Sequence, residues 1–164
     1  MSTICETFIV NFSKDIVEYI KHTKLEKHDT KNINDQHVNG ALTVIWRDWD
    51  KIIVPEPKMV YVSAVNPGEI KGPHLHLKRN SYFVCIHGKV VFIVKGENGQ
   101  YKEIISSEEE PVLVHVPKNI ASAHINLDNK TSKVLALADI AWRPNDNEME
   151  NVLFEDYDWK KWKK

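Results

Sequence analysis

The sequence predicts an all-β fold, a sandwich or barrel, from three observations. Beyond residue 41 the apolar residues fall in short β-branched and aromatic runs; the runs recur about every 8 to 12 residues; and the stretches between them are rich in Gly, Asn, Pro and Ser. Alternating strands and helices would need long amphipathic segments between the runs, and there are none.

Taken in order, the chain opens with NFSKDIVEYIKHTKL (11–25). It suits a helix, with Ser13 as N-cap and Ile16, Val17 and Ile20 on one face, and it also suits a strand. Residues 21–40 are polar, either a loose lead-in or a pair of short strands. The expected strands follow: ALTVIW (41–46), MVYVSAV (59–65), YFVCI (82–86), KVVFIV (89–94), YKEII (101–105), PVLVHV (111–116) and KVLALADIAW (133–142). His87-Gly88 reads as a tight hairpin between the third and fourth of these, with Gly88 supplying the positive φ. EDYDWKKWKK at the end reads as a solvated tail. This divides the chain into an N-terminal extension, 1–36, and one domain, 37–164.

Composition sets limits on function. A chain of 164 residues, 42% hydrophobic, buries about 70% of its unfolded surface and needs no staples. Its 22 Lys+Arg against 23 Asp+Glu leave a net charge of −1, which gives no basis for a nucleic-acid partner held by counterion release. No apolar run reaches the roughly 18 residues of a membrane span, and the N-terminus has no basic region before an apolar one. No membrane partner and a cytoplasmic location are therefore expected. Cys5 and Cys85 are too few and too distant for a disulfide framework, and Cys85 within YFVCI reads as a buried small hydrophobe.

Histidine is the class with chemistry left in it, at eight residues. His22, His28, His37, His87 and His115 stand alone and read as turn, surface or core residues. His74 and His76 are two apart, so on an extended strand both imidazoles project from one face. Gly72-Pro73 before them and the expected hairpin at Gly88 after them set the pair at the start of a strand that pairs with its successor.

Gly68, His74, His76 and Gly88 fall at the spacing of the first cupin motif, and the sequence resembles the cupin superfamily there. Ser81 occupies the position of that motif's Glu, which removes the one carboxylate from a metal-ligand set, so no metal is expected. Pro117, Asn119, His124 and Asn126 follow the second motif loosely. Over residues 37–162, the stretches GALTVIWRDWD, PKMVYVSAVNPGEIKGPHLH, VPKNIASAHINL and FEDYDW resemble the metal-free cupins that epimerise or isomerise nucleotide-linked 4-keto-6-deoxysugars. KGPHLHLK sits between the RGLH of the 3,5-epimerases and the RGxHAHK of the 3,4-ketoisomerases.

The resemblance implies a single cupin-type jelly-roll barrel with a short N-terminal extension and a C-terminal tail. It also implies a homodimer, a nucleotide-sugar substrate, most simply a dTDP-sugar, no cofactor, and a place in the synthesis of surface-polysaccharide sugars. Histidine suits such a site, because its unperturbed pKa lies near ambient pH and a proton next to a ketone can be taken by a base of that kind. By resemblance His74 is the base and His76 shapes the site or moves a proton, with Tyr61 and Tyr82 as candidate acids. Lys71, Arg79, His124, Asn126 and Asp139 are the candidate substrate-binding or orienting residues. Ala136 stands where the 3,5-epimerases carry a catalytic tyrosine, and the chain stops before the segment holding the Asp that partners their base. A single-centre epimerase or ketoisomerase loses less by this. A non-catalytic sugar-binding cupin and a metal-dependent cupin enzyme remain as alternatives.

Overall fold

Strands such as Met59–Val65 and Tyr101–Ser107 bury alternate side chains more deeply, and the strands fold back on one another in antiparallel pairs throughout. The computed structural model describes residues 20–162. Its strands are β1 (His22–Lys24), β2 (Lys27–Lys31), β3 (Val38–Thr43), β4 (Met59–Val65), β5 (Ile70–His76) and β6 (Ser81–His87). They continue with β7 (Lys89–Lys95), β8 (Tyr101–Ser107), β9 (Val112–Val116), β10 (Ala121–Asn126), β11 (Ser132–Ala138) and β12 (Met149–Asn151), and a short 3-10 turn covers Trp159–Trp162. Among the described residues one five-stranded sheet has the order β1-β9-β6-β11-β4, a second has β12-β5-β10-β7-β8, and β2 pairs with β3 alone.

The two sheets face each other across a core that includes Cys85, Val90, Phe92, Val94, Val114 and Val134. Their outer faces are covered as well. Ile45 and Ile53 pack on Tyr82, Val84, Leu113 and Leu137 of the first sheet, and Phe154, Tyr157, Trp159 and Trp162 pack on Val91, Ile93, Ala123 and Ile125 of the second. Strand β7 is thus covered on both sides, which explains why KVVFIV is continuously apolar rather than alternating.

Three sequence expectations change. His87-Gly88 is not a hairpin: β6 lies in the first sheet and β7 in the second, so the chain crosses between sheets there. The histidine pair sits at the far end of β5, which pairs with β10 and β12 and not with its successor β6. The tail is not simply solvated, since Phe154 and Tyr157 are buried and Tyr157 donates its hydroxyl to Glu103 at 2.6 Å. The polar 21–40 stretch takes the second of its two readings, short strands: it holds β1 on the first sheet and most of the β2–β3 hairpin. The helix reading of 11–25 falls mostly outside the described residues, and its end at His22–Lys24 is strand.

Gly88 carries the crossing with φ +76°, and a Cβ there would lie 2.3 Å from Ser132 Oγ. That hydroxyl already donates to Asn126 Oδ1 at 2.7 Å and accepts from Lys89 N at 3.1 Å. Gly88→Ala is therefore expected to cost about 2 kcal/mol or more, from left-handed strain plus overpacking. Gly99→Ala, with φ +78° and open space around it, costs only the strain. Chemical denaturation of the two variants compares them, and an equal loss would rule out the packing part of the argument.

Candidate active site

Strand β5 carries the site, and an irregularity in it decides which side chains meet. His74 pairs with Ser122 and Lys71 with His124, so three steps along β5 match two along β10. The extra residue is a bulge that resets the alternation, and Lys71, His74 and His76 consequently all line one cavity of about 220 Å³ between the sheets. Gly72 occupies the bulge with φ +89°, where a Cβ would stand 2.8 Å from Ser122 O. Tyr61 and Ser63 from β4, Phe83 from β6, Phe92 from β7 and His124 from β10 complete much of the wall.

Each of the two paired histidines is held by a residue from the segment around β12. That edge strand pairs with β5 so that Met149 opposes His76 and Asn151 opposes His74. Asn151 Oδ1 lies 2.9 Å from His74 Nδ1. An amide oxygen accepts, so His74 carries its proton on Nδ1 and keeps the lone pair on Nε2. Both Glu148 carboxylate oxygens lie 3.1 Å from His76 Nδ1. Arg79 Nη2 lies 3.0 Å from His76 Nδ1 and 2.8 Å from Nε2, and Arg79 Nε is 3.8 Å from Glu148. All three side chains are buried. Burial pushes His76 below the usual imidazole value, the Arg79 cation adds to the fall, and Glu148 opposes it.

The other members are equally constrained. Burial pushes His124 down to about 4, with the Lys71 cation acting in the same direction, so its ring is neutral at pH 7. Its Nε2 has no protein hydrogen-bond partner among the described residues. Tyr61 is raised above the usual phenol value by burial, with Arg79 pulling down and Glu148 pushing up. It stands directly across from Ala136 on the neighbouring strand β11, so the two share a face. Lys71 Nζ donates to Ser63 Oγ at 3.0 Å.

Three sequence candidates lie elsewhere. Tyr82 points to the opposite face of β6 from Phe83; its hydroxyl donates to Val54 O at 3.0 Å and its ring stacks on His115 at 4.4 Å, so it is no acid for this cavity. Asn126 is buried and fully engaged, donating to Val65 O and Lys130 O and accepting from Ser132 Oγ and Asp128 N. It braces the loop after β10 instead of facing substrate. Asp139 accepts from Asn80 N and Nδ2 at 2.9 and 2.7 Å, and orients no histidine. Conversely, Glu148 and Asn151 carried no signal in the sequence, because NDNEMEN reads as a solvated acidic loop until β12 is seen against β5. Ser81 is buried, and among the described residues no group of three His, Cys, Asp or Glu side chains is placed to hold a metal ion. Among the same residues no helix is long and apolar enough to cross a membrane.

Known structures share this architecture. The chain superposes on the dTDP sugar isomerase of Desulfovibrio desulfuricans G20 with a TM-score of 0.74, at 16% identity, over 87% of this chain and 92% of that one. ChmJ, a 3'-monoepimerase from Streptomyces bikiniensis solved with dTDP-quinovose, gives 0.66 at 15% identity, over 81% of this chain and 69% of that one. QdtA, a sugar 3,4-ketoisomerase from Thermoanaerobacterium thermosaccharolyticum solved with TDP, gives 0.58 at 21% identity, over 77% and 86%. At such identities the likeness is one of fold, and it makes the double sheet a cupin-type jelly roll. No curated protein matches the chain in sequence. The family model described as FdtA, WxcM-like, C-terminal matches residues 22–158, the cavity and both strands that orient its histidines included, and the chain belongs to that family.

Proposed function

We propose that this protein is an epimerase or ketoisomerase acting on a nucleotide-linked 4-keto-6-deoxysugar, with a dTDP-sugar the first choice. The observation that carries the reading is His74, whose Nδ1 is fixed by Asn151 at 2.9 Å so that Nε2 is its basic nitrogen, in a cavity with two cations and a phenol. His74 Nε2 takes the proton from the carbon next to the ketone, and the electron pair of that C–H bond moves onto the ketone oxygen as an enolate. Lys71 and Arg79 are the cations available to that oxygen. Protonation of the other face of the same carbon gives an epimer; protonation of the former ketone carbon, with the hydroxyl on the first carbon passing its proton to the enolate oxygen, moves the carbonyl by one carbon and gives a ketoisomer.

Tyr61 is the acid in this reading. It lies across from Ala136, so the phenol absent at 136 is supplied to the same face from the adjacent strand. Neutral His124, with its Nε2 free of protein partners among the described residues, offers a hydrogen bond to a sugar hydroxyl. The reading extends to a cytoplasmic homodimer working in the synthesis of surface-polysaccharide sugars. Support for a dimer comes from β4, which among the described residues ends the first sheet, with Val60 and Val62 exposed.

The test is incubation of the purified protein with a dTDP-4-keto-6-deoxysugar in deuterated water, followed by proton NMR and mass spectrometry. Incorporation of deuterium next to the ketone is expected. Tight binding without incorporation would replace the enzyme by a sugar-binding protein, and neither binding nor incorporation with any such sugar would end the proposal.

A further inference from the structure

We infer that Glu148 is a positioning residue, which holds His76 and Arg79 as one fixed unit in the wall of the cavity and so keeps the Arg79 cation where the reaction develops negative charge. The inference rests on the proposed proton transfer for its purpose, but the clamp itself stands on geometry. A carboxylate only accepts, so at 3.1 Å from both of its oxygens His76 Nδ1 is the protonated nitrogen. Arg79 then lies against the same ring, 2.8 Å from Nε2, with its Nε unpaired by any hydrogen bond among the described residues. A buried guanidinium beside an imidazole has no reason to stay there without an anion, and Glu148, 4% exposed, is that anion.

The backbone is shaped to deliver it. Asn145 and Asn147 take left-handed φ values of 64° and 44°, a conformation asparagine tolerates better than most residues. Asp146 between them accepts from Arg143 N and Glu148 N at 3.1 and 3.3 Å, and Leu77 N donates to Glu148 O at 2.8 Å. These contacts fix the main chain on either side of one inward-pointing carboxylate just before β12. The charged and titratable groups acting on His76 are Glu148, Arg79 and His74, and Tyr61 feels the same Arg79 and Glu148 charges.

The experiment combines kinetics with an NMR titration of the His76 ring in the full-length protein. Glu148→Gln keeps the shape and removes the charge. It is expected to lower kcat by about 10- to 100-fold with KM little changed, the scale of losing the partner that orients a functional imidazole. It should also move the His76 midpoint down by about half a unit or more, because Arg79 then acts unopposed. Glu148→Asp, which keeps the charge, is expected to fall between wild type and Gln in both readouts. Arg79→Gln reads the clamp from its other side and should move the midpoint up, whether or not the Gln variant at 148 folds. A carboxylate that served stability alone would change thermal melting and leave the midpoint in place, and that result in both variants overturns the inference. A wild-type protein without turnover overturns the function instead, and the midpoint shifts still decide the clamp.

Discussion

His74→Asn is expected to reduce deuterium incorporation by about a thousandfold, within the range that a positioned general base contributes. The size of the loss follows from the absence of a substitute. His124 is the next imidazole in the cavity, but burial holds it near 4, so at neutral pH it is a poor proton acceptor. His76 has Nδ1 donating to Glu148 and Nε2 within 2.8 Å of the Arg79 guanidinium, which leaves it no free lone pair. Tyr61 is raised by burial and stays protonated. Asparagine keeps a side chain of similar reach beside Asn151, and His74 is only half-buried, so the variant should fold and bind as wild type does. Isothermal calorimetry with the dTDP-sugar separates the two effects: affinity within a few-fold, incorporation lost. A variant that keeps more than about a tenth of wild-type incorporation would remove His74 from the role of base and turn attention to Tyr61.

The residues that betray this site to a reader of the sequence are those whose signal is local. His74 and His76 announce a shared face by their spacing alone, and strands β4, β6, β7, β9 and β11 announce themselves by composition. What stayed hidden depends on pairing between distant segments. Tyr82 and Phe83 differ in direction by one step along a strand, and β6 is apolar on both faces because Ile45 and Ile53 cover the outer one. Alternation then cannot say which face looks inward. Lys71 joins the histidines only through the bulge at Gly72, since an unbroken strand would aim it away. Glu148 becomes legible as a buried anion only when β12 docks on β5, more than 70 residues earlier in the chain. His87-Gly88 shows the same ambiguity in a turn, for a dipeptide that suits a hairpin equally suits a crossing between sheets.

The burial that lowers His76, His115 and His124 should also make the fold sensitive to mild acid. His124, His76 and His115 are all lowered, with burial the largest cause in each. In the unfolded chain each returns to about 6.5, so between that value and the folded one the unfolded state binds more protons. The stability they confer is complete above pH 6.5 and drains away as pH falls through the folded values. For His124 the gap runs from 6.5 to about 4, worth about 2 to 3 kcal/mol after allowing for the part of the residue that faces the cavity. Carboxylates such as Glu103, which are lowered in the folded protein, lose their contribution at more acid pH, so a window from pH 7.5 to 4.5 isolates the histidines. Urea unfolding across that window should show stability falling with pH in the wild type, and in His124→Gln the fall should be smaller by about 2 kcal/mol. An unchanged pH dependence in that variant would mean that His124 accepts a proton in the folded state without penalty, and the neutral imidazole offered to a sugar hydroxyl would have to be abandoned with it.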